Sequence, residues 1–556
     1  MALPCRTTGS LRPAFAPARR VCLAVKHPYA FAQTARFPTV LRVPSRSSVT
    51  FFCLKMHFKH IIICLISIFR SNIRMELSKE AITAVLSRFN PWWRDERIAG
   101  LPGWKRAAYQ ELKQWTVSPP TNRAVVLSGA RQIGKTTLMQ QMIQELLEKD
   151  IPAGNILYAT FDHPILKLAG IDAVVDAWRE REPATDGPEY LFLDEAQFLR
   201  DWGTWVKHEH DFNQDRRIIF TGSAMTLDRT DTESGVGRWH TIRLTTLSFY
   251  EYTQIKRLTL PDLPALSSLR ELFSWQPNQI ARVKDVLPAY IGHFHEYLLR
   301  GGFPQTAMID NINIAQQLIR EDIIDKVLKR DMTANFGVRR VLDLEHTFLY
   351  LCMNDGALLD MTQLASNLSV TKVTAQRYID MFVASHLVYR LPPFGYGKDV
   401  LRGKFKLYLA DPAIAPAVML QDKTMIADAN LLGIATEAAV FKHIFARYYP
   451  NRVQFSYWRG KKQHEVDLVA ESGSEIIPFE VKYRNRTPSR SDLTGLLQMA
   501  QQKNFQRAYV VTKSVSDVGE LALQDEHPRI MRIPAPILCY WMGATELNLV
   551  ERDFKP

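Results

Sequence analysis

Gly129-Ala130-Arg131-Gln132-Ile133-Gly134-Lys135-Thr136 spells G-x-x-x-x-G-K-[ST], the pattern of a phosphate-binding loop. An apolar run from Ala124 to Leu127 leads into it, and Thr137-Leu-Met-Gln-Gln-Met-Ile-Gln-Glu-Leu-Leu leads out with helical character. Strand, loop and helix in that order are the setting in which this motif binds nucleotides. Gly129 and Gly134 let backbone amides turn toward phosphates, and the helix N-terminus adds positive potential there. Residues 129–137, ending in Thr137, are therefore the expected ATP-binding stretch. Lys135 is expected at the β- and γ-phosphates, with the Thr136 hydroxyl on Mg²⁺.

Such a loop needs a carboxylate at the end of a neighbouring buried strand. Glu189-Tyr-Leu-Phe-Leu-Asp194-Glu195 supplies it. Asp194 is expected in the Mg²⁺ shell, and Glu195 as the residue that polarises the attacking water. Three further strand-like runs start at Asn155, Arg216 and Thr241, and their alternation with helices predicts a parallel α/β layer. Ser223, at the polar end of the run from Arg216, falls where a side chain senses the γ-phosphate. Arg238 is a candidate charge-stabilising arginine, in cis or in trans, beside its plain reading as a surface arginine.

The first 74 residues stand apart. They hold twelve Lys or Arg, no Asp or Glu, and four of the six cysteines. Without them the net charge falls from +13 to +1, so the basic balance says little about partners of the rest. The run Ile61 to Phe69 is shorter than the ~20 apolar residues that span a bilayer, and no membrane association is expected. A transit peptide shares this composition. Met75-Glu-Leu-Ser-Lys-Glu opens globular composition abruptly, which favours Met75 as the true start and an upstream leader that is mis-assigned. Cys352 and Cys539 form no metal or disulfide pattern, which suits a reducing cytoplasm.

Phe89-Asn-Pro-Trp-Trp-Arg is a compact aromatic element expected to pack on the nucleotide-binding core. Residues 256–340 read as helical, with a break at Gly301-Gly-Phe-Pro304 and a charged, solvated face after Arg320. Residues 341–410 read as a winged helix: short helices from Met361 and Lys372, then a hairpin from His386-Leu-Val-Tyr-Arg and Lys404-Phe-Lys-Leu-Tyr. Lys372, Arg377, Arg390, Lys398, Arg402, Lys404 and Lys406 are candidate phosphate contacts on DNA. The same element serves protein contacts or homo-oligomerisation equally well.

The C-terminal third carries a second constellation. Glu465-Val-Asp-Leu-Val-Ala-Glu-Ser and Glu475-Ile-Ile-Pro-Phe-Glu-Val-Lys flank Gly473-Ser474, a two-residue hairpin turn. Counting outward from Ser472 opposite Glu475 puts Asp467 opposite Glu480 and Glu465 opposite Lys482, all on one face. Facing carboxylates repel unless a divalent cation joins them, and oxygen ligands suit Mg²⁺. Lys482 would then orient or activate a water for phosphodiester attack. The plain alternative is a Glu465–Lys482 ion pair with no catalysis. Flanking helices and strands complete an αβββαβ order that resembles the PD-(D/E)XK nuclease core, and Glu437 on the first helix matches that core's additional acid.

From about Met75 onward the chain resembles the prokaryotic AAA-type ATP-binding family that carries a C-terminal domain of unknown function. The motifs are the loop at 129–137, Leu193-Asp-Glu-Ala-Gln, Thr221-Gly-Ser-Ala, Gly237-Arg, Leu247-Ser-Phe-Tyr-Glu, Gly301-Gly-Phe-Pro and Glu465-Val-Asp with Glu480-Val-Lys. The resemblance implies an α/β chain: a P-loop AAA-type ATPase domain (75–255), a helical lid (256–340), a winged helix (341–410) and a restriction-endonuclease-like domain (411–556).

Overall fold

The computed structural model describes residues 78–199, 202–222, 237–332, 340–395, 400, 403–451, 453–521 and 528–544. The leader, Ser223, Lys398 and Arg402 lie outside them.

Five strands form the first sheet: β1 Ala124–Ser128, β2 Ile156–Thr160, β3 Glu189–Asp194, β4 Arg216–Gly222 and β5 Trp239–Arg243. Their order is β2-β3-β4-β1-β5, and every pair is parallel. Runs such as Ala124-Val-Val-Leu-Ser are buried throughout, as strands covered by helices on both faces must be. Parallel direction brings the C-terminal ends of β1, β3 and β4 to one edge, where open α/β sheets bind ligands. The helix Lys135–Glu148 starts there, directly after the loop.

The aromatic element covers the exposed edge of β2. The Asn90 side chain is fully buried; it donates to the Tyr158 carbonyl and accepts from the Tyr158 amide, both at strand-like distances of 2.8 and 2.7 Å. Trp92 and Trp93 both donate to the Ile156 carbonyl. A side-chain amide thus pairs an edge strand that would otherwise offer free backbone groups. The packing expected of this element is what the structure shows.

The long helix Pro277–Arg300 ends at Gly301, and a π-helical stretch Ile319–Asp331 follows the short helix Ile312–Leu318. In that stretch Ile323, Ile324, Val327 and Leu328 are buried, while Asp322–Lys326 and Asp325–Lys329 pair on the outside. The helices Val341–Met353, Met361–Asn367 and Lys372–Ala384 come next, followed by antiparallel β6 Val388–Leu391 and β7 Lys406–Leu409. Asp360 and Thr371 cap the second and third helices with their side chains.

The last sheet contains β8 Gln454–Arg459, β9 Glu465–Ser472, β10 Glu475–Lys482, β11 Arg507–Thr512, β12 Gly519–Leu521 and β13 Arg529–Pro534. Its order is β12-β13-β11-β10-β9-β8. With the helices Ala429–Tyr448 and Thr494–Gln502 the chain order is αβββαβ up to β11. Gly473, at φ 61°, turns the hairpin, and the register runs from Ser472–Glu475 to Leu468–Phe479, as counted from the sequence. Beyond that pair the strands part: Val481 donates its amide to the Asp467 carboxylate at 2.8 Å rather than continuing the ladder. On its other edge β10 pairs with β11 over Phe479–Lys482.

Candidate functional site

At the sheet edge the loop is fixed by contacts only glycine permits. A Cβ on Gly129 would lie 2.4 Å from the Leu244 carbonyl oxygen, and Gly134 opens the helix at φ 93°. Lys135 is 9% exposed and turns its ammonium back onto the loop, 2.9 Å from the Gly129 and 2.8 Å from the Ala130 carbonyl. Thr136 Oγ1 donates to Asp194 Oδ2 at 2.6 Å, Tyr158 donates to the same oxygen at 2.9 Å, and Thr221 donates to Oδ1 at 2.5 Å. Three hydroxyls from the loop helix, β2 and β4 therefore orient one carboxylate. The Thr136 hydroxyl beside the Asp194 carboxylate is a hard-oxygen donor set that fits Mg²⁺.

Glu195 sits at φ 55°, a left-handed conformation uncommon for a side-chain-bearing residue. Its amide is shared between Asp194 Oδ1 and Thr221 Oγ1, and Gln197 donates to its carboxylate. Burial raises the Glu195 pKa above the ordinary glutamate value, against the opposing charge of Lys135. The sequence pointed to the acid but gave no role to Tyr158, which lies in no motif, nor to Thr221 and Gln197, which lie inside two of the motifs.

Arg238 is placed differently from its expected role. It precedes β5 and pairs with Asp211 at 3.3 Å; Ala124 opposes Trp239 at the start of β1, and Ser128 opposes Arg243 at its end. Six residue steps of ~3.3 Å put Arg238 about 20 Å along the strand from the loop. A charge-stabilising role in cis is therefore corrected: in a parallel sheet the start of a strand and the C-terminal edge cannot meet. Arg238→Ala should leave steady-state phosphate release by the isolated chain within about twofold, as for a surface substitution.

The arginine at the correct edge is Arg243. Its guanidinium lies over the rings of Tyr389, Phe445 and Tyr449 and donates to His386 Nδ1 at 3.3 Å. An arginine only donates, so Nδ1 is the acceptor and Nε2 carries the proton, 3.0 Å from the Ser128 hydroxyl. Burial, then the charges of Arg243 and Lys135, hold His386 neutral. Ser128 directly precedes Gly129, and His386 lies two residues before β6 of the β6–β7 hairpin.

The second constellation assembles around lysines. Lys406, expected among the DNA contacts, is instead buried at 3% exposure. Its ammonium is 2.5 Å from Glu465, 3.6 Å from Asp467 and 3.7 Å from Glu437. Tyr408, two residues on and so on the same face of β7, donates to Glu437 at 2.7 Å. Lys482 pairs with Glu480, whose second oxygen is buried with no hydrogen-bond partner. Burial and then the Asp467 charge raise the carboxyl pKa values of both Glu437 and Glu480. Asp467, Glu480 and Glu437 thus converge as expected, but not as an open cation cage. Among the described residues no three His, Cys, Asp or Glu side chains form a metal-binding group. The physical reason is that Lys406 supplies the neutralising charge, so a divalent ion does not fit this arrangement. The expected Glu465–Lys482 pair is replaced by Glu465–Lys406 and Glu480–Lys482. Of the other DNA-contact candidates, Arg390 pairs with Asp380 and Lys404 with Asp360.

Residues 121–253 match the family model of an AAA domain. Residues 121–253 are an AAA-type P-loop ATPase domain. Residues 291–425 and 432–535 match two domains of unknown function, DUF8612 and DUF4143. An uncharacterized protein of Haemophilus influenzae is 25% identical over 384 residues, 67% of this chain and 85% of that protein. One of Mycobacterium tuberculosis is 27% identical over 374 residues, 66% of this chain and 71% of that protein. Among solved structures, the Aeropyrum pernix ORC1 protein in complex with DNA aligns with a TM-score of 0.27 and 11% identity, over 59% of this chain and 96% of that one. No helix among the described residues is long and apolar enough to cross a membrane.

Proposed function

We propose that this protein is a Mg²⁺-dependent ATPase whose nucleotide state acts on DNA through its C-terminal half. Lys135 binds the β- and γ-phosphates, Thr136 and Asp194 hold the Mg²⁺ shell, and Glu195 takes the proton of the attacking water. Bound Mg²⁺ neutralises charge between the phosphates. Tyr158 and Thr221 keep Asp194 pointed at that position, and Gln197 holds Glu195. Arg238 serves the site of a neighbouring copy in a homo-oligomer.

Residues 341–410 are read as a winged helix on DNA, with Lys372 and Arg377 on its recognition helix, and residues 411–556 as a PD-(D/E)XK-like nuclease domain. The observation that carries the coupling is the Ser128–His386–Arg243 chain, which ties the strand feeding the phosphate loop to the hairpin that bears Lys406. A second reading has a specific observation behind it. With Lys406 seated among Glu437, Glu465 and Asp467, the C-terminal domain is a non-catalytic binding module and the protein a nucleotide switch.

Cleavage of plasmid and single-stranded DNA with Mg²⁺ and ATP separates the two. The first reading expects nicking that Lys482→Ala abolishes while ATP turnover continues. If neither protein cleaves and both turn over ATP, the nuclease reading is wrong and the switch stands.

A further inference from the structure

Arg106 lies upstream of the phosphate loop, outside every motif, and is buried at 8% exposure. Its Nε and Nη2 donate to the two oxygens of Glu251 at 3.2 and 3.0 Å. That carboxylate also accepts from the Ala107 and Ser248 amides at 3.1 and 2.8 Å, the second bond belonging to the capping box of the helix Phe249–Ile255. The guanidinium is thus fixed in place by a partner that is itself fixed. Its remaining nitrogen, Nη1, reaches into the loop: it donates to the Ile133 carbonyl at 3.0 Å and to the Thr245 carbonyl at 2.9 Å. Thr245 follows Leu244, whose amide donates to the Ser128 carbonyl at 2.8 Å and whose own carbonyl lies against Gly129. One segment just past β5 therefore holds the loop at its entry, and Arg106 ties the same segment to its exit.

The exit is where orientation matters. A peptide group is planar and trans, so a carbonyl and the amide that follows it point in opposite directions. Holding the Ile133 carbonyl on Arg106 turns the Gly134 N–H away from Arg106, and backbone amides of such a loop are what cradle phosphates. Nothing local fixes this peptide, because Gly134 sits at φ 93° and Gln132 at φ 57°, both in the left-handed region. We propose that Arg106 is a positioning residue for nucleotide binding, which aims the Gly134 amide at the β-phosphate by holding the Ile133 carbonyl from behind. Glu251 neutralises the guanidinium, so the effect is one of direction and not of added charge. Only an arginine does this, since a planar fork meets a carboxylate and two carbonyls at once where an ammonium cannot. The role rests on reading the loop as the ATP site, and it adds a residue outside that loop on which its affinity depends.

The test is calorimetric binding of Mg²⁺–ADP and of AMP to the full chain, with steady-state ATP turnover beside it. Arg106→Gln is combined with Glu251→Gln, so that no buried charge is left without its partner, and compared with Glu251→Gln alone, which keeps the arginine on the loop. Glutamine is too short to reach the Ile133 carbonyl. The double variant should bind ADP about ten- to a hundredfold more weakly than Glu251→Gln, the range for one lost hydrogen bond to a charged group. KM for ATP should rise in step while kcat stays within about threefold, because the amide holds the β-phosphate alike before and during the reaction. AMP, which lacks that phosphate, should bind both variants equally. A folded double variant with the ADP affinity of Glu251→Gln overturns the proposal, and so does an equal loss for AMP and ADP, which marks general loosening of the domain. If the double variant fails to fold, Arg106→Lys, which keeps a cation beside Glu251, is read in the same way: weaker ADP binding with unchanged AMP binding supports the role, and unchanged ADP binding overturns it. A wild-type protein that neither binds ADP nor turns over ATP removes the reading of the loop itself, and this role with it.

Discussion

Lys135→Ala should lower ATP turnover by at least about 10²–10³-fold, the usual loss when one preorganised donor to developing charge is removed. Its ammonium is already inside the loop, held by the Gly129 and Ala130 carbonyls and backed by the helix N-terminus. Little reorganisation is then needed when phosphate arrives. Glu195→Gln should lose turnover to a similar degree while retaining nucleotide binding, because the amide cannot accept a proton. Comparing binding with phosphate release tells the two roles apart. A Lys135→Ala protein that keeps wild-type turnover removes the ATPase reading of the loop. The pH profile supplies a further check. Burial raises the pKa of Glu195, and a general base works only when deprotonated. The acid limb of the turnover profile should therefore lie above the ordinary glutamate pKa of 4.5. Rate is lost as pH falls through the raised value and is fully present above it.

What could be read in the sequence was what short-range geometry determines. Gly129 to Thr136 specifies a loop because glycine positions and a lysine at fixed spacing have one physical use together. Gly473-Ser474 gave a register that holds for five residue pairs, because a two-residue turn leaves no freedom in which residues face each other. The prediction stopped at Leu468–Phe479, beyond which the Asp467 side chain rather than the β9 backbone takes the Val481 amide. Lys406 was misread for a different reason. In a basic hairpin it looks like a phosphate contact, and only the docking of β7 on the helix Ala429–Tyr448 and on β9 decides that it points inward. A signal was there: Phe405-Lys406-Leu407-Tyr408-Leu409 is an apolar strand with one charge, and that charge shares a face with Tyr408. Arg238 failed differently, since the motif Gly237-Arg names no strand end, whereas the parallel register of β1 with β5 fixes it away from the loop. The repeated Gly301-Gly302 and Leu247-Ser-Phe-Tyr-Glu motifs had no legible role either. Their role is a junction.

That junction is where the second large effect is expected. Asp411 is 0% exposed and Lys442 1%. Asp411 Oδ2 accepts from the Thr246 hydroxyl and from the Gly302 amide at 2.9 Å, and Oδ1 accepts from the Ala413 amide at 3.0 Å. Lys442 donates to the Thr246 hydroxyl at 2.7 Å, to the Leu247 carbonyl at 2.8 Å and to Tyr297, and lies 3.4 Å from Asp411. A Cβ on Gly301 would come within 2.4 Å of Asp411 Oδ1, and one on Gly302 within 2.4 Å of the Leu247 carbonyl oxygen, so both glycines are needed for the approach. Segments from the ATPase core, the long helix, the hairpin and the helix Ala429–Tyr448 meet on this one pair. Burial lowers the Lys442 pKa, and Asp411 works against that. Asp411→Ala strands the ammonium and leaves the Gly302 and Ala413 amides unpaired, so it should destabilise the chain by about 3–5 kcal/mol in chemical unfolding. Lys442→Met should cost less, because Asp411 keeps three hydrogen-bond donors. The double variant decides the matter. If the pair is one unit, Asp411→Ala with Lys442→Met is less destabilised than Asp411→Ala alone, since no buried charge is left without its partner. Additive losses would mean that the two residues act independently and that the four segments are held together by apolar packing.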